Sequence, residues 1–246
     1  HYPDGAWRSR KQFNDSRKYG SMWADTEWPA TLEMKRQCVL GHELCNEMLP
    51  AWVETFPSFY FQFSKPGIVN VGVDVLLADW VWEMPAHFDS TGIEWVDAAL
   101  PPGNPPPDCF TWTGVFKDDV GTDSFVCAYL PVIKDGRFIC SAGHNMQMKR
   151  LSQASKSDIP GAQHCIFRTD GRLIAYPPKE TQILDSKGKL TAAACGDPLP
   201  ARLYGIAAGH SERRFSGYDE TTQTYYSMAR LAGPEWVYAT TMSYDF

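Results

Sequence analysis

The chain has 246 residues, 43% of them hydrophobic and 21% charged. That is the composition of a folded globular protein with room for one large domain or two small ones, and it excludes a disordered chain. Lys and Arg total 23 against 29 Asp and Glu, so the net charge is −6, the reverse of what a binder of nucleic-acid phosphates carries.

No apolar run reaches the length of a membrane span, and no signal peptide is visible. His1 is not a start methionine, so the sequence reads as a piece of a longer protein. Residues 1–28 are polar and aromatic without periodicity, which predicts a surface wrap or a stalk. Pro29 then opens a predicted helix. Met34, Cys38, Gly41, Cys45, Met48 and Trp52 recur at steps of three and four, one apolar stripe on a helix expected to end near Pro50.

A strand over Phe59–Phe63, a turn at Ser64–Gly67 and a strand from Ile68 follow. The segment 72–107 is irregular and closes in a proline-rich loop, which can be neither helix nor inner strand. It is expected to fold over something. Phe125–Ile133 and Arg137–Met146 form a second hairpin around Lys134-Asp135-Gly136, and a polar helix covers 147–156. The next hairpin runs through Cys165–Arg168 and Arg172–Tyr176 around Thr169-Asp170-Gly171. A short helix near 199–208 precedes a last hairpin, Thr224–Leu231 and Trp236–Met242. The hairpins turning at Gly67 and Gly136 recur, at nearly the same offset, as those turning at Gly171 and Gly233. Two copies of one small fold are therefore expected, each an antiparallel sheet with helices.

The seven cysteines, at 38, 45, 109, 127, 140, 165 and 195, include no C-x-x-C pair, so a zinc ribbon or thioredoxin-like motif is excluded. Cys38 and Cys45 on one helix face stand about 10 Å apart, beyond disulfide reach. Most of the seven read as small buried residues, and a disulfide involving Cys109 stays open. His42-Glu43-Leu44-Cys45-Asn46 begins like a zinc-protease helix but has Asn where the second His belongs. No P-loop, G-x-G-x-x-G or G-x-S-x-G occurs. Hence no catalytic residue, metal or cofactor is expected.

Trp112-Thr113-Gly114-Val115-Phe116-Lys117-Asp118 is followed by Cys127-Ala128-Tyr129-Leu130-Pro131-Val132 and, after Asp135-Gly136, by Phe138-Ile139-Cys140-Ser141-Ala142-Gly143-His144-Asn145-Met146. Further on come Phe167-Arg168-Thr169-Asp170-Gly171-Arg172-Leu173-Ile174-Ala175-Tyr176-Pro177 and Leu231-Ala232-Gly233-Pro234-Glu235-Trp236-Val237-Tyr238. In order and spacing, over about residues 32 to 246, this resembles the double Cache (dCACHE) family, extracytoplasmic sensor domains of bacterial histidine kinases, diguanylate cyclases and chemoreceptors. The family's pattern reads roughly W-T-G-x-Y-x-D, V-S-x-x-P-V and D-G-x-F-x-G-x-x-G-x-D-I, then F-x-x-D-G-x-L-I-A-H-P.

The resemblance implies an α+β fold of two tandem PAS-like units on a long N-terminal helix. The expected division is 1–55 for the N-terminal segment and helix, 56–156 for a membrane-distal, ligand-binding unit, and 157–246 for a membrane-proximal unit. Flanking transmembrane helices outside this chain would hold it at the periplasmic side of an inner membrane. The implied partner is a small molecule, with a homodimer compatible and no nucleic acid. Trp112, Phe116 and Tyr129 are implied pocket walls, Asp118 and Asn145 polar anchors, and Trp95 and Asp97 part of the covering segment. Phe116 stands where Tyr is common, Cys140 where glycine is usual, and Asn145 where Asp is common. Phe110 occupies the place of an Arg that, with that Asp, holds amino acids in the family. These departures argue against a free α-amino acid as ligand. The rival expectations are a ligand-free dimerisation or spacer module and, behind it, a secreted enzyme.

Overall fold

Two antiparallel sheets carry the computed structural model, which describes all residues except 14, 53, 55, 56, 64–66, 102, 104, 107, 109, 118–123, 155–158 and 244–246. The N-terminal stretch forms strands β1 (Trp7–Arg8) and β2 (Ser21–Ala24). It is therefore the rim of the first sheet and not a stalk, with Trp23 and Ala24 buried. Helix α1 spans Leu32–Trp52. Pro29 does not open it, because Ala30 takes a left-handed φ of 46° that no helix contains. Thr31 starts it instead, its hydroxyl accepting the Met34 N–H at 3.3 Å. Pro50 sits in the last turn and the helix runs two residues past it.

Strands β3 (Ser58–Phe63) and β4 (Val69–Asp74) pair along their whole length. The irregular segment supplies two short helices, α2 (Trp80–Glu83) and α3 (Glu94–Ala99). Strands β5 (Thr111–Trp112), β6 (Phe116–Lys117), β7 (Ser124–Lys134) and β8 (Arg137–Gln147) complete the sheet, in the order β1-β2-β4-β3-β8-β7-β5, with β6 also on β7. The β7–β8 turn has positive φ at both Asp135 (52°) and Gly136 (71°), the backbone an Asp-Gly hairpin turn requires. The apolar stripe of α1 lies on this sheet. Cys38 packs with Phe63, Val69, Val71 and Cys140, and Cys45 packs with Phe59 and Val73.

Helix α4 (Met148–Ala154) leads to β9 (Gln163–Arg168) and β10 (Leu173–Ala175). Helices α5 (Glu180–Asp185) and α6 (Pro198–Ala208) follow, then β11 (Arg214–Asp219), β12 (Thr224–Arg230) and β13 (Trp236–Ser243). The second sheet has the order β10-β9-β13-β12-β11. The run β4-β3-β8-β7 of the first sheet and the run β10-β9-β13-β12 of the second have one topology. In each, the first strand of one hairpin pairs with the last strand of the next. The expected pair of similar antiparallel units is present.

By contacts the chain divides into two compact units. Among the described residues, one holds His1–Thr113 and Cys127–Met146; the other holds 147–243 and takes in Gly114–Lys117 and 124–126. The second unit buries Phe167, Leu173, Ile183, Leu203, Met228 and Val237. The described cysteines (38, 45, 127, 140, 165 and 195) are buried free thiols. Burial pushes the thiols of Cys38, Cys45 and Cys140 up to about 12, so they stay protonated and unreactive at neutral pH. Cys109 lies outside the described residues. No described helix is long and apolar enough to cross a membrane.

In the second unit α6 is tied to β11 by one charged contact. The exposed Arg202 guanidinium donates to both oxygens of buried Asp219 at 2.9 and 2.8 Å, and Thr222 Oγ1 donates to the same carboxylate at 2.9 Å. These bonds, Arg202's foremost, hold the Asp219 carboxyl well below the usual carboxylate range, against the opposing effect of burial. A depressed folded-state pKa stabilises the fold above the unfolded value of about 3.9 and ceases to do so as pH falls through the folded value. Asp219→Asn should therefore destabilise the protein at neutral pH by about 1.5–3 kcal/mol, the worth of hydrogen bonds to a charged group. It should also flatten the loss of stability below about pH 4. Urea unfolding at pH 7 and pH 3 checks both; equal acid sensitivity in the two proteins would contradict the assignment.

Candidate functional site

Strand β3 alternates without exception. Phe59, Phe61 and Phe63 turn toward the α1 side, where Phe59 meets the Trp52 ring at 6.0 Å. Ser58, Tyr60 and Gln62 point the other way, as a period of two dictates, and all three are buried. The adjoining strands continue the division. Ser58, Tyr60 and Gln62 lie opposite Asn145, Gly143 and Ser141 of β8, and Tyr60 and Gln62 lie opposite Gly72 and Asn70 of β4. One face of the first sheet is thus apolar and sealed by α1. The other is polar and largely buried, with Asp74 at the end of β4, opposite Ser58, as a charge at its margin.

Tyr60 stands at the centre of the polar face. Its hydroxyl donates to Asn145 Oδ1 at 2.8 Å and so accepts from the Tyr129 hydroxyl, also at 2.8 Å. Cys127 Sγ donates to the same Asn145 oxygen at 2.5 Å, and Asn145 Nδ2 donates to Ser58 Oγ at 3.3 Å. Both ends of the Asn145 amide are used. An aspartate here would bury a charge with no cation beside it, so Asn suits these neighbours. Burial raises the pKa of Tyr60 and of Tyr129 well above the ordinary value, and both hydroxyls remain neutral.

The glycines across from Tyr60 make the arrangement possible. A Cβ on Gly143 would stand 2.7 Å from Tyr129 Cε1 and 2.9 Å from Tyr60 Cε2, and one on Gly72 would overlap Tyr60 Cβ. The covering segment is anchored to the same face. Ser141 Oγ donates to the Ala99 carbonyl at the end of α3 at 2.5 Å. The Cys127 N–H donates to Thr113 Oγ1 at 2.8 Å.

Of the expected site residues, the structure brings Tyr129 and Asn145 together. Trp112 pairs with Ala128 and meets His144 edge-on at 6.2 Å, and His144 lies opposite Phe59. Trp112 therefore sits on the face away from Asn145. Burial lowers the pKa of His144, which keeps it uncharged at neutral pH. Trp95, half-buried on α3, leans on Phe88 at 5.8 Å, and Phe88 meets Trp23 at 6.4 Å. Trp23 lies opposite Asn70 in β4, so Trp95 belongs to the cover of the polar face. Asp97 is exposed on α3. Phe116 packs on Phe125 at 6.4 Å and falls in the second unit. Asp118 lies outside the described residues. Tyr60, Ser58, Cys127, Gln62 and Asn70 were not singled out from the sequence. The signal for them is the alternation of Phe with polar residues from Ser58 to Phe63.

One group has metal-ligating chemistry among the described residues: Asp25, Glu27 and His87 place three ligand-type atoms within 4.8 Å of one another. The Asp25 oxygens already accept the N–H groups of Glu27 (2.8 Å) and Phe88 (2.7 Å). The group is accounted for as a clasp between the loop after β2 and residues 87–88.

No protein-family model and no curated protein sequence matches the chain. Solved structures do. The ligand-binding domain of the Pseudomonas fluorescens chemoreceptor CtaA in complex with L-serine aligns over 87% of this chain and 90% of its own, with a TM-score of 0.51 and 12% identity. The same domain with L-leucine gives 0.50 over 87% and 88%. The extracellular domain of a protein described as a histidine kinase, soHK1S-Z6, gives 0.50 over 88% and 80%, at 14% identity. The chain has the fold of these receptor domains. That agrees with the double Cache resemblance and with its two sheets and N-terminal helix. Identities this low establish the fold and leave binding to be argued from the residues here.

If the Tyr60 hydroxyl organises the polar face, Tyr60→Phe should cost about 1–3 kcal/mol, because it leaves Asn145 Oδ1 and the Tyr129 hydroxyl short of a partner. Gly143→Ala should cost a similar amount, about 1–3 kcal/mol, by overpacking against both rings. Urea denaturation measures each; changes within about 0.5 kcal/mol, the range of inconsequential surface substitutions, would contradict the packing described.

Proposed function

We propose that this chain is the extracytoplasmic sensor domain of a bacterial membrane receptor. It binds a small molecule on the polar face of its first unit and passes the event to an output domain on the other side of the membrane. The observation that carries this reading is the buried polar face built around the neutral groups of Tyr60, Tyr129 and Asn145. A protein that needed the face only for stability would fill it with apolar side chains, as it does on the α1 side. The fold it shares with ligand-binding receptor domains supports the same reading. Tyr129, Asn145 and Tyr60 are assigned ligand contacts and Trp95 a place in the cover; no contact is assigned to Trp112, Phe116 or Asp97.

The absence of a charged side chain among Ser58, Tyr60, Gln62, Asn70, Cys127, Tyr129, Ser141 and Asn145 favours an uncharged ligand, or one with a single charge directed outward. A zwitterionic amino acid would bring two charges to groups that can neutralise neither. The bound ligand shifts an equilibrium between two arrangements of the unit only through different affinity for them. The chain itself is read as non-catalytic; its described thiols are buried and offer no accessible cysteine nucleophile.

A thermal-shift screen against amides, alcohols, nucleobases, sugars, carboxylates and amino acids tests the proposal. A ligand at 100 times its Kd adds about 2.7 kcal/mol of stability, or several degrees in Tm at roughly 2–4 °C per kcal/mol for a chain of this size. The expected hit is an uncharged compound whose effect disappears in Asn145→Ala and weakens in Tyr129→Phe. A hit unaffected by both substitutions would overturn the placement. A hit confined to zwitterionic amino acids would overturn the ligand class.

A further inference from the structure

Gln62 is a buried amide without a partner. Its side chain is fully enclosed, at 0% exposure, and neither Oε1 nor Nε2 makes a hydrogen bond. Its cross-strand neighbour Asn70 has a buried Oδ1 that is also unpartnered. Two such groups side by side are costly, because an unmet buried donor or acceptor forfeits its hydration for nothing. The flanking polar groups are already engaged elsewhere. On the far side of Gln62, Ser141 is engaged with the Ala99 carbonyl. Beyond Asn70, Trp23 is held in place by its indole N–H, which donates to the Pro85 carbonyl at 3.1 Å. The row Ser141–Gln62–Asn70–Trp23 thus offers unused amide groups between a fixed hydroxyl and a fixed aromatic wall.

We propose that Gln62 and Asn70 form a subsite for a primary carboxamide. The inference rests on the sensor reading above and names the chemistry of its ligand. Gln62 Oε1 and Asn70 Oδ1 are acceptors and call for two N–H donors; Gln62 Nε2 is a donor and calls for a carbonyl. A primary carboxamide presents both on one planar group. A carboxylate offers no donor, and an ammonium offers no acceptor. Neither ion meets an opposite charge among Ser58, Tyr60, Gln62, Asn70, Ser141 and Asn145, so each would be buried uncompensated. Within the row Asn70 is half-buried and Gln62 fully enclosed.

The test compares benzamide, nicotinamide and propionamide, each beside the matching carboxylate, by isothermal titration and thermal shift on the intact chain. The proposal expects at least one amide to bind, at least tenfold more tightly than its carboxylate. Gln62→Leu and, separately, Asn70→Ala should each weaken that binding at least tenfold, with the circular dichroism spectrum unchanged. Gln62→Leu should fold at least as stably as the parent, since it removes unmet groups; Asn70→Ala, at a half-buried position, keeps the test open should Leu not be accommodated. Amide binding indifferent to both substitutions overturns the proposal. So does the absence of amide binding when another compound binds in a manner sensitive to Asn145→Ala; Gln62 then holds buried water only, and the sensor reading stands. Absence of any binding sensitive to Asn145→Ala, amides included, overturns both.

Discussion

The hydroxyl of Tyr60 is the point on which the first unit depends. It joins β3 to β7 through Tyr129 and to β8 through Asn145, with both tyrosines buried. Three neutral groups meet there in a fixed donor-to-acceptor order, Tyr129 to Tyr60 to Asn145. Such a chain is worth more inside a protein than in water, and it costs more to leave incomplete. Its geometry requires glycine on both sides: Gly72 and Gly143 give up their side chains so that two aromatic rings can lie over the sheet. Position in the sheet, packing and polarity are therefore one constraint rather than three.

That constraint makes the sheet two-sided. On the α1 side, three phenylalanines, three valines and three cysteines form a conventional apolar core, which supplies stability. On the opposite side the same strands present hydroxyls and amides under a cover of short helices and aromatic rings. The second unit repeats the strand order and adds the Arg202–Asp219 clasp to an apolar core of its own. The division of labour runs between the faces of one sheet, and it explains how a rigid scaffold can carry a polar interior without collapsing onto it.

Much of this was legible in the sequence, and the reasons for the rest are physical. Long elements with clear periods were readable: the three- and four-residue steps of α1, the Asp-Gly turn of β7–β8, and the two similar pairs of hairpins. The N-terminal strands were not, because β1 and β2 have two and four residues and exist only by pairing at the edge of β4. The start of α1 was misplaced at Pro29 because nothing local announces the left-handed Ala30. In the candidate site, Tyr129 and Asn145 came from a motif resemblance. Trp112, from the same motif, lies on the other face, since a shift of one residue along a strand reverses the side chain. Tyr60 and Gln62 were hidden in a run that looks merely aromatic until the alternation with Phe is counted.

The central claim is that the polar face of the first sheet receives the ligand. It is tested most directly by a crystal structure of the chain grown with whichever compound raises its melting temperature most. The account predicts electron density for that compound against Tyr60, Tyr129 and Asn145, with at least one bond of the present Tyr60–Asn145–Cys127 cluster exchanged for a bond to the ligand. Density in the second unit or on an outer surface, with the cluster's own bonds unchanged, would contradict it.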